Sequence, residues 1–146
     1  MTLLYLPFII QGIFMAFDEH LHKKRGLGAW ERLGHPVDTM TVFSPLSFIA
    51  VNEYTSDRLI VFVILSVFSS VFITKDEFIH TNECNPLENW IHSMLFVLHP
   101  MIFICSGFLW KYHPDDQFLV IQAISVGVFM IYQIMRWSLS WKEHLK

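Results

Sequence analysis

The chain has 146 residues, 53% of them hydrophobic, with 14 Phe, 5 Trp and a positive mean hydropathy; it is long enough for one domain and too apolar for an ordinary soluble one. A formal charge of −3 with no basic block excludes the electrostatic footprint of a nucleic-acid-binding protein. Two cysteines, Cys84 and Cys105, without CxxC spacing, exclude a disulfide framework and a zinc-finger pattern.

Five apolar segments follow one another at 3–17, 39–51, 59–74, 91–109 and 118–137. We read them as five transmembrane helices of an all-α integral membrane bundle. A span takes about 20 largely apolar residues, so the first three segments reach that length only if their polar ends are helical as well. The chain starts directly on its first apolar run, with no basic lead-in and no small-residue cleavage site, so this run is expected to remain as helix one. Helix one continues through Asp18, Glu19 and His22, and Gly26 and Gly28 close it. Helix two carries Glu31, His35 and Asp38. Its Gly34-His35-Pro36 step leaves two readings, one continuous helix or a short interfacial helix at 29–34 with Pro36 opening the span.

Ser56 is the expected N-cap of helix three, which continues through Asp76, Glu77 and His80. Asn85-Pro86 precedes helix four, with Pro86 in its first turn. Helix four carries Glu88, His92 and, deep in its apolar run beside Pro100, His99. His113-Pro114-Asp115-Asp116 opens helix five. The whole is one membrane domain: repeat 1 at about 1–52, repeat 2 at about 57–111 and an extra helix at about 115–141. The five Trp read as interfacial anchors.

Five spans put the first loop, the third loop and the C-terminus on one side, with Lys23, Lys24, Arg25, Arg32, Lys75, Arg136, Lys142 and Lys146. The opposite side has Arg58 and Lys111. This bias predicts an inner membrane of bacterial type, N-terminus outside and C-terminus inside.

One pattern occurs twice. Asp18, Glu19 and His22 are followed by Glu31 and His35; Asp76, Glu77 and His80 are followed by Glu88 and His92. Within each group, spacings of three and four place the side chains on one helix face. The topology puts both copies at the cytoplasmic face, as a shared site requires. Ionisable groups set among apolar spans read as functional, and these types in this arrangement read as metal ligands. His99 extends the second stripe, either as a ligand or as a histidine bonded to a carbonyl freed by Pro100. Asp38 extends the first as a ligand, a partner of His35 or an N-cap. Cys84 reads as a reduced thiol, with a minor ligand role as the alternative. His20 points off the motif face, and His113 and His144 are solvated.

The six motif carboxylates, Asp18, Glu19, Glu31, Asp76, Glu77 and Glu88, would raise one another's pKa values if brought together uncompensated. Three divalent cations would neutralise them; two would leave a balance that Lys23, Lys24 and Lys75 help to cover. We therefore expect two or three divalent metal ions, iron or zinc, on mixed imidazole and carboxylate ligands.

The pattern resembles the ferritin-like di-iron carboxylate proteins, in a membrane-embedded form. Glu19-x-x-His22 and Glu77-x-x-His80 match the Glu-x-x-His elements of those four-helix bundles, and Glu31 and Glu88 match their single glutamates. The chain departs from them by an Asp in each half and by the additional His35, His92 and His99. The histidine excess leans toward membrane desaturase and hydroxylase chemistry, although the HxxHH boxes of those families are absent. The resemblance implies a pseudo-twofold metal core of two helical hairpins with the fifth helix outside it. The expected function is a multinuclear, metal-dependent oxidoreductase acting on a lipid or quinone among membrane lipids. The alternatives are a zinc-dependent membrane hydrolase and a non-enzymatic, structural metal protein. The catalytic residues and the oligomeric state are not legible.

Overall fold

The computed structural model describes residues 2–78 and 84–139. His80, one of the expected ligands, lies outside the described residues, as do Trp141 and His144. The described chain is an all-α bundle of five long helices: α1 Leu6–Arg25, α2 Ala29–Val51, α3 Ser56–Phe72, α4 Pro86–Tyr112 and α5 Phe118–Gln133. Four helical stretches, Thr2–Arg25, Ser56–Asp76, Pro86–Tyr112 and Phe118–Leu139, are long and apolar enough to cross a membrane. Their outer faces fit that role, since Ile60, Ile64, Val67, Phe68 and Val71 of α3 all stand exposed. The remaining helix, α2, has 23 residues, about 34 Å at 1.5 Å per residue. Glu31, Arg32, His35, Asp38 and two prolines interrupt its apolar run.

Local chemistry explains the ends. Pro7 lies in the first turn of α1, where a missing N–H costs nothing. Gly26 closes α1 at φ 80°, a conformation that side chains with a Cβ resist, and its N–H bonds the His22 carbonyl at 2.8 Å. The carboxylate of Glu31 accepts the Gly28 N–H at 2.9 Å and starts α2. For α3 the cap is Thr55, one residue before the expected Ser56; its hydroxyl accepts the Arg58 N–H at 3.2 Å. Asn85 caps α4 through the N–H groups of Leu87 and Glu88, with Pro86 in the first turn as expected.

Three expectations are corrected. The α2 helix runs unbroken through Pro36, so the reading of a separate interfacial helix at 29–34 falls. A proline removes the hydrogen bond to the carbonyl four residues back; here that carbonyl, of Arg32, is taken by the Ser138 hydroxyl at 2.9 Å. The helix of α3 does not continue unchanged into the second motif: it tightens into a 3-10 turn at Ile73–Asp76. And Trp110 is no interfacial anchor. It is buried among Phe48, Tyr54 and Phe62, its indole N–H donating to the Asn52 carbonyl at 2.6 Å. Trp30 and Trp90 are exposed, and Trp137 is buried.

The α1 helix packs on α4, α2 on α3, and α3 on α4. The fifth helix is not peripheral; it lies along α2. Gly127 permits this approach, because a Cβ there would stand 3.1 Å from the Phe43 ring. The hydrophobic core, built on Leu46, Ile49, Phe62, Ile102, Leu109 and Trp110, fills the end of the bundle that holds the α2–α3 turn. The other end is polar. Leu46 is wholly buried at the heart of this core. Leu46→Ala is therefore expected to destabilise the fold by about 2–5 kcal/mol, read as a lowered thermal midpoint of the purified protein; an unchanged midpoint would show that the core lies elsewhere.

Candidate metal centre

At the polar end, α1, α2 and α4 converge. Asp18 and His22, one turn apart on α1, face the bundle together, with His22 Nδ1 3.5 Å from Asp18 Oδ2. His92 of α4 brings its Nε2 to 2.7 Å from Asp18 Oδ1. The ring of His35 of α2 lies 4.6 Å from that of His22, tilted by 46°, and the His92 ring lies 5.7 Å from the His22 ring. Donor atoms of Asp18, His22 and His92 all lie within 4.8 Å of one another, and so do those of His22, Glu31 and His35. His22 is common to both groups.

These groupings could hold a cation. His22 and His92 are buried, yet His22 Nε2 makes no hydrogen bond among the described residues, although Glu88 Oε1 is 3.4 Å away. Asp18 Oδ1 is similar: its 2.7 Å separation from His92 is that of a strong hydrogen bond, but the alignment is not. Buried polar atoms are ordinarily paired, and nitrogen and oxygen donors converging in this way could share a positive ion. Imidazole nitrogens with a carboxylate oxygen suit zinc, iron or manganese.

The other motif carboxylates are compensated by cations. Arg25 reaches from the last turn of α1 to Glu31 of α2, with Nη1–Oε2 at 3.1 Å and Nη2–Oε1 at 2.5 Å, and to Glu88 of α4 through Nε at 3.1 Å. Glu88 is wholly buried, and its second oxygen accepts no hydrogen bond among the described residues. Burial penalises the charge on Glu31; the Arg25 guanidinium and the Gly28 N–H offset that penalty. Beside them, burial pushes the Cys84 thiol up to about 12, with Glu88 adding to the rise. Lys75, carried inward on the 3-10 turn, lies between Asp38 and Asp76. Glu19 is held by the Tyr132 hydroxyl at 2.5 Å and the Trp137 indole N–H at 3.3 Å, with Lys23 at 3.7 Å. Glu77 is exposed.

Thus of the sequence-derived candidates, Asp18, His22, His35 and His92 converge with Glu31 and Glu88 at their edge. Glu19, Asp38 and Asp76 line the adjoining cavity, and His99 lies deeper in its wall. Sequence reasoning missed Arg25, Tyr132 and Trp137. Arg25 was visible only as one basic residue among several, and nothing in the spacing ties helix five to Glu19.

The cavity has a volume of about 170 Å³ and runs from Asp18, His22, His35 and His92 into the bundle. Most of its wall is apolar or aromatic. Comparisons with protein-family models, curated proteins and solved structures gave no match.

Removing the cation from a buried ion pair strands its partner. Arg25→Gln is accordingly expected to cost about 3–5 kcal/mol by denaturant titration. Adding Glu31→Gln and Glu88→Gln should recover most of that loss; a single variant as stable as the parent would show that Arg25 is not the compensating charge.

Proposed function

We propose that the protein is a membrane-embedded, metal-dependent oxidoreductase acting on a small lipid-soluble substrate. The observation that carries this reading is the convergence of Asp18, His22, His35 and His92 on the wall of a largely apolar cavity, where donor atoms from three helices form two groups whose members lie within 4.8 Å of one another. In it α2 joins the four apolar helices as a fifth span, its polar face turned inward. The N-terminus is outside, and the site is at the cytoplasmic face, where most of the basic residues lie. The pairing of α1 with α4 and of α3 with α2 supports a pseudo-twofold relation between the hairpins.

Two adjoining cation positions follow from the two donor groups: one between Asp18, His22 and His92, the other between His22, Glu31 and His35. The carboxylate arithmetic allows two or three ions. Because Arg25 and Lys75 already balance much of the acidic charge, we favour two. Iron in these positions would supply redox chemistry, and zinc Lewis acidity. The chain's own residues prepare the site. Arg25 fixes Glu31 and Glu88 on one side of His22, and Tyr132 and Trp137 turn Glu19 aside. The apolar wall keeps water scarce and admits a lipid-soluble molecule. One observation favours a zinc hydrolase as the second reading: Glu88 is buried with one carboxylate oxygen 3.4 Å from His22 Nε2, a position from which it could serve as a base.

Elemental analysis of the purified protein tests the centre. Asp18→Asn and His92→Gln should each lower the bound metal by at least half, whereas Glu19→Gln should leave it unchanged. Equal metal in Asp18→Asn and the parent would remove the proposed ligand set. Iron supports the oxidoreductase and zinc the hydrolase.

A further inference from the structure

Beyond the metal ligands, the cavity wall holds polar groups that the metal centre does not use. His99 of α4 is buried and lines the cavity. Its Nε2 lies 2.9 Å from the Ser69 hydroxyl of α3, which lies 2.9 Å from the Thr41 hydroxyl of α2. The Thr41 hydroxyl in turn donates to the Asp38 backbone carbonyl at 2.7 Å.

A hydroxyl has one proton, so this chain has a single consistent direction. A carbonyl only accepts, so the Thr41 proton is committed to Asp38. Ser69 must then donate to Thr41, and its oxygen accepts from His99. His99 therefore carries its proton on Nε2 and keeps a lone pair on Nδ1. Three interlocked bonds between buried groups fix that tautomer. Since the chain ends at a backbone carbonyl, it conducts no proton; what it does is hold the ring in one orientation.

The second group is Gln11 of α1, more than nine-tenths buried. It lines the same cavity, and its carbonyl oxygen has no hydrogen-bond partner among the described residues. Phe8, Phe96 and Phe129 line the same cavity, and most of its surface is apolar. Its lining also carries Gln122, Thr39 bonded to Gln133, Glu19 bonded to Tyr132, and Asp38 and Asp76 on Lys75. His99 Nδ1 and Gln11 Oε1 are acceptors beside an oily surface, and they suit a ligand that donates and is otherwise apolar. A volume of about 170 Å³ holds a single substituted ring.

We infer that the cavity binds a small neutral phenol, whose hydroxyl donates to His99 Nδ1 or Gln11 and whose ring lies among Phe8, Phe96 and Phe129. This rests on the reading of the cavity as the substrate site and names the class of substrate. His99 and Gln11 are specificity-determining residues in it, and Ser69 and Thr41 are positioning residues that act through His99.

The test compares 4-ethylphenol with 4-ethylanisole, its methyl ether, which cannot donate. Both are titrated calorimetrically into the full chain in phosphatidylcholine nanodiscs, with metal content measured on the same samples. The phenol should bind about tenfold more tightly, since a site built around a hydrogen bond rejects the analogue lacking it. His99→Phe should bring the two affinities within about twofold, and Ser69→Ala and Gln11→Leu should each reduce the ratio by a smaller factor. Equal affinities in the parent, binding of neither probe, or a ratio preserved in His99→Phe would overturn the inference. Should His99→Phe not fold, the parent ratio and Gln11→Leu decide. Metal present with no preference for the phenol would sink this inference and leave the metal centre; a clear preference in a protein without metal would do the reverse.

Discussion

The polar end of this bundle depends on the compensation of buried charge. Glu88 has no contact with solvent, and Glu31 has almost none. Charges in such places are tolerated only when an opposite charge reaches them with good geometry. Arg25 does so for both at once, since its planar fork can serve two carboxylates and a lysine's single ammonium is less well suited to it. One side chain from α1 thereby ties together the starts of α2 and α4. Lys75 does the corresponding work for Asp38 and Asp76. With these pairs formed, Asp18, which has no Lys or Arg partner among the described residues, faces His22 and His92.

The fifth helix contributes more than a wall. Its π-helical extension, Ile134–Leu139, together with Tyr132 just before it, places three groups on the polar end: Tyr132 and Trp137 on Glu19, and Ser138 on the Arg32 carbonyl. The last of these makes Pro36 affordable inside α2, and the continuity of α2 keeps Glu31, His35 and Asp38 on one rigid element. A widened turn of this kind shifts the facing of the residues beyond it. Midway along the bundle, Thr39 donates to Gln133 at 2.6 Å, and the His99–Ser69–Thr41 chain joins α4, α3 and α2. These bonds satisfy polar groups that an apolar surrounding would otherwise penalise.

The bundle therefore changes character along its axis. At one end an aromatic and aliphatic core is closed by the Trp110–Asn52 bond. In the middle, hydroxyls and amides pair across helices. At the other end, compensated charges surround the imidazoles. The cavity spans the last two zones, so a molecule within it would meet oily walls, a few oriented hydrogen-bonding groups and the proposed metal ligands in sequence.

The amino-acid sequence by itself determined the all-helical character, the apolar stretches and the repeated acidic and histidine motif at their polar ends. Composition and short-range spacing suffice for these, because a helix fixes which residues share a face within a turn or two. Residues as far apart as Asp18 and His92 line one cavity. Sequence spacing does not carry across helices, so the partners were decided in three dimensions. Glu19 and Asp18 are adjacent in the chain, yet successive residues on a helix point about 100° apart. The result is that Asp18 faces His22 and His92 while Glu19 faces Tyr132 and Trp137. Arg25 is set apart from its basic neighbours Lys23 and Lys24 by its guanidinium fork and by the helix ends it reaches, and those ends meet only once α1, α2 and α4 have packed. The direction of the hydroxyl chain that sets the His99 ring belongs to the same class: it needs three helices in register, and only the tertiary structure provides them.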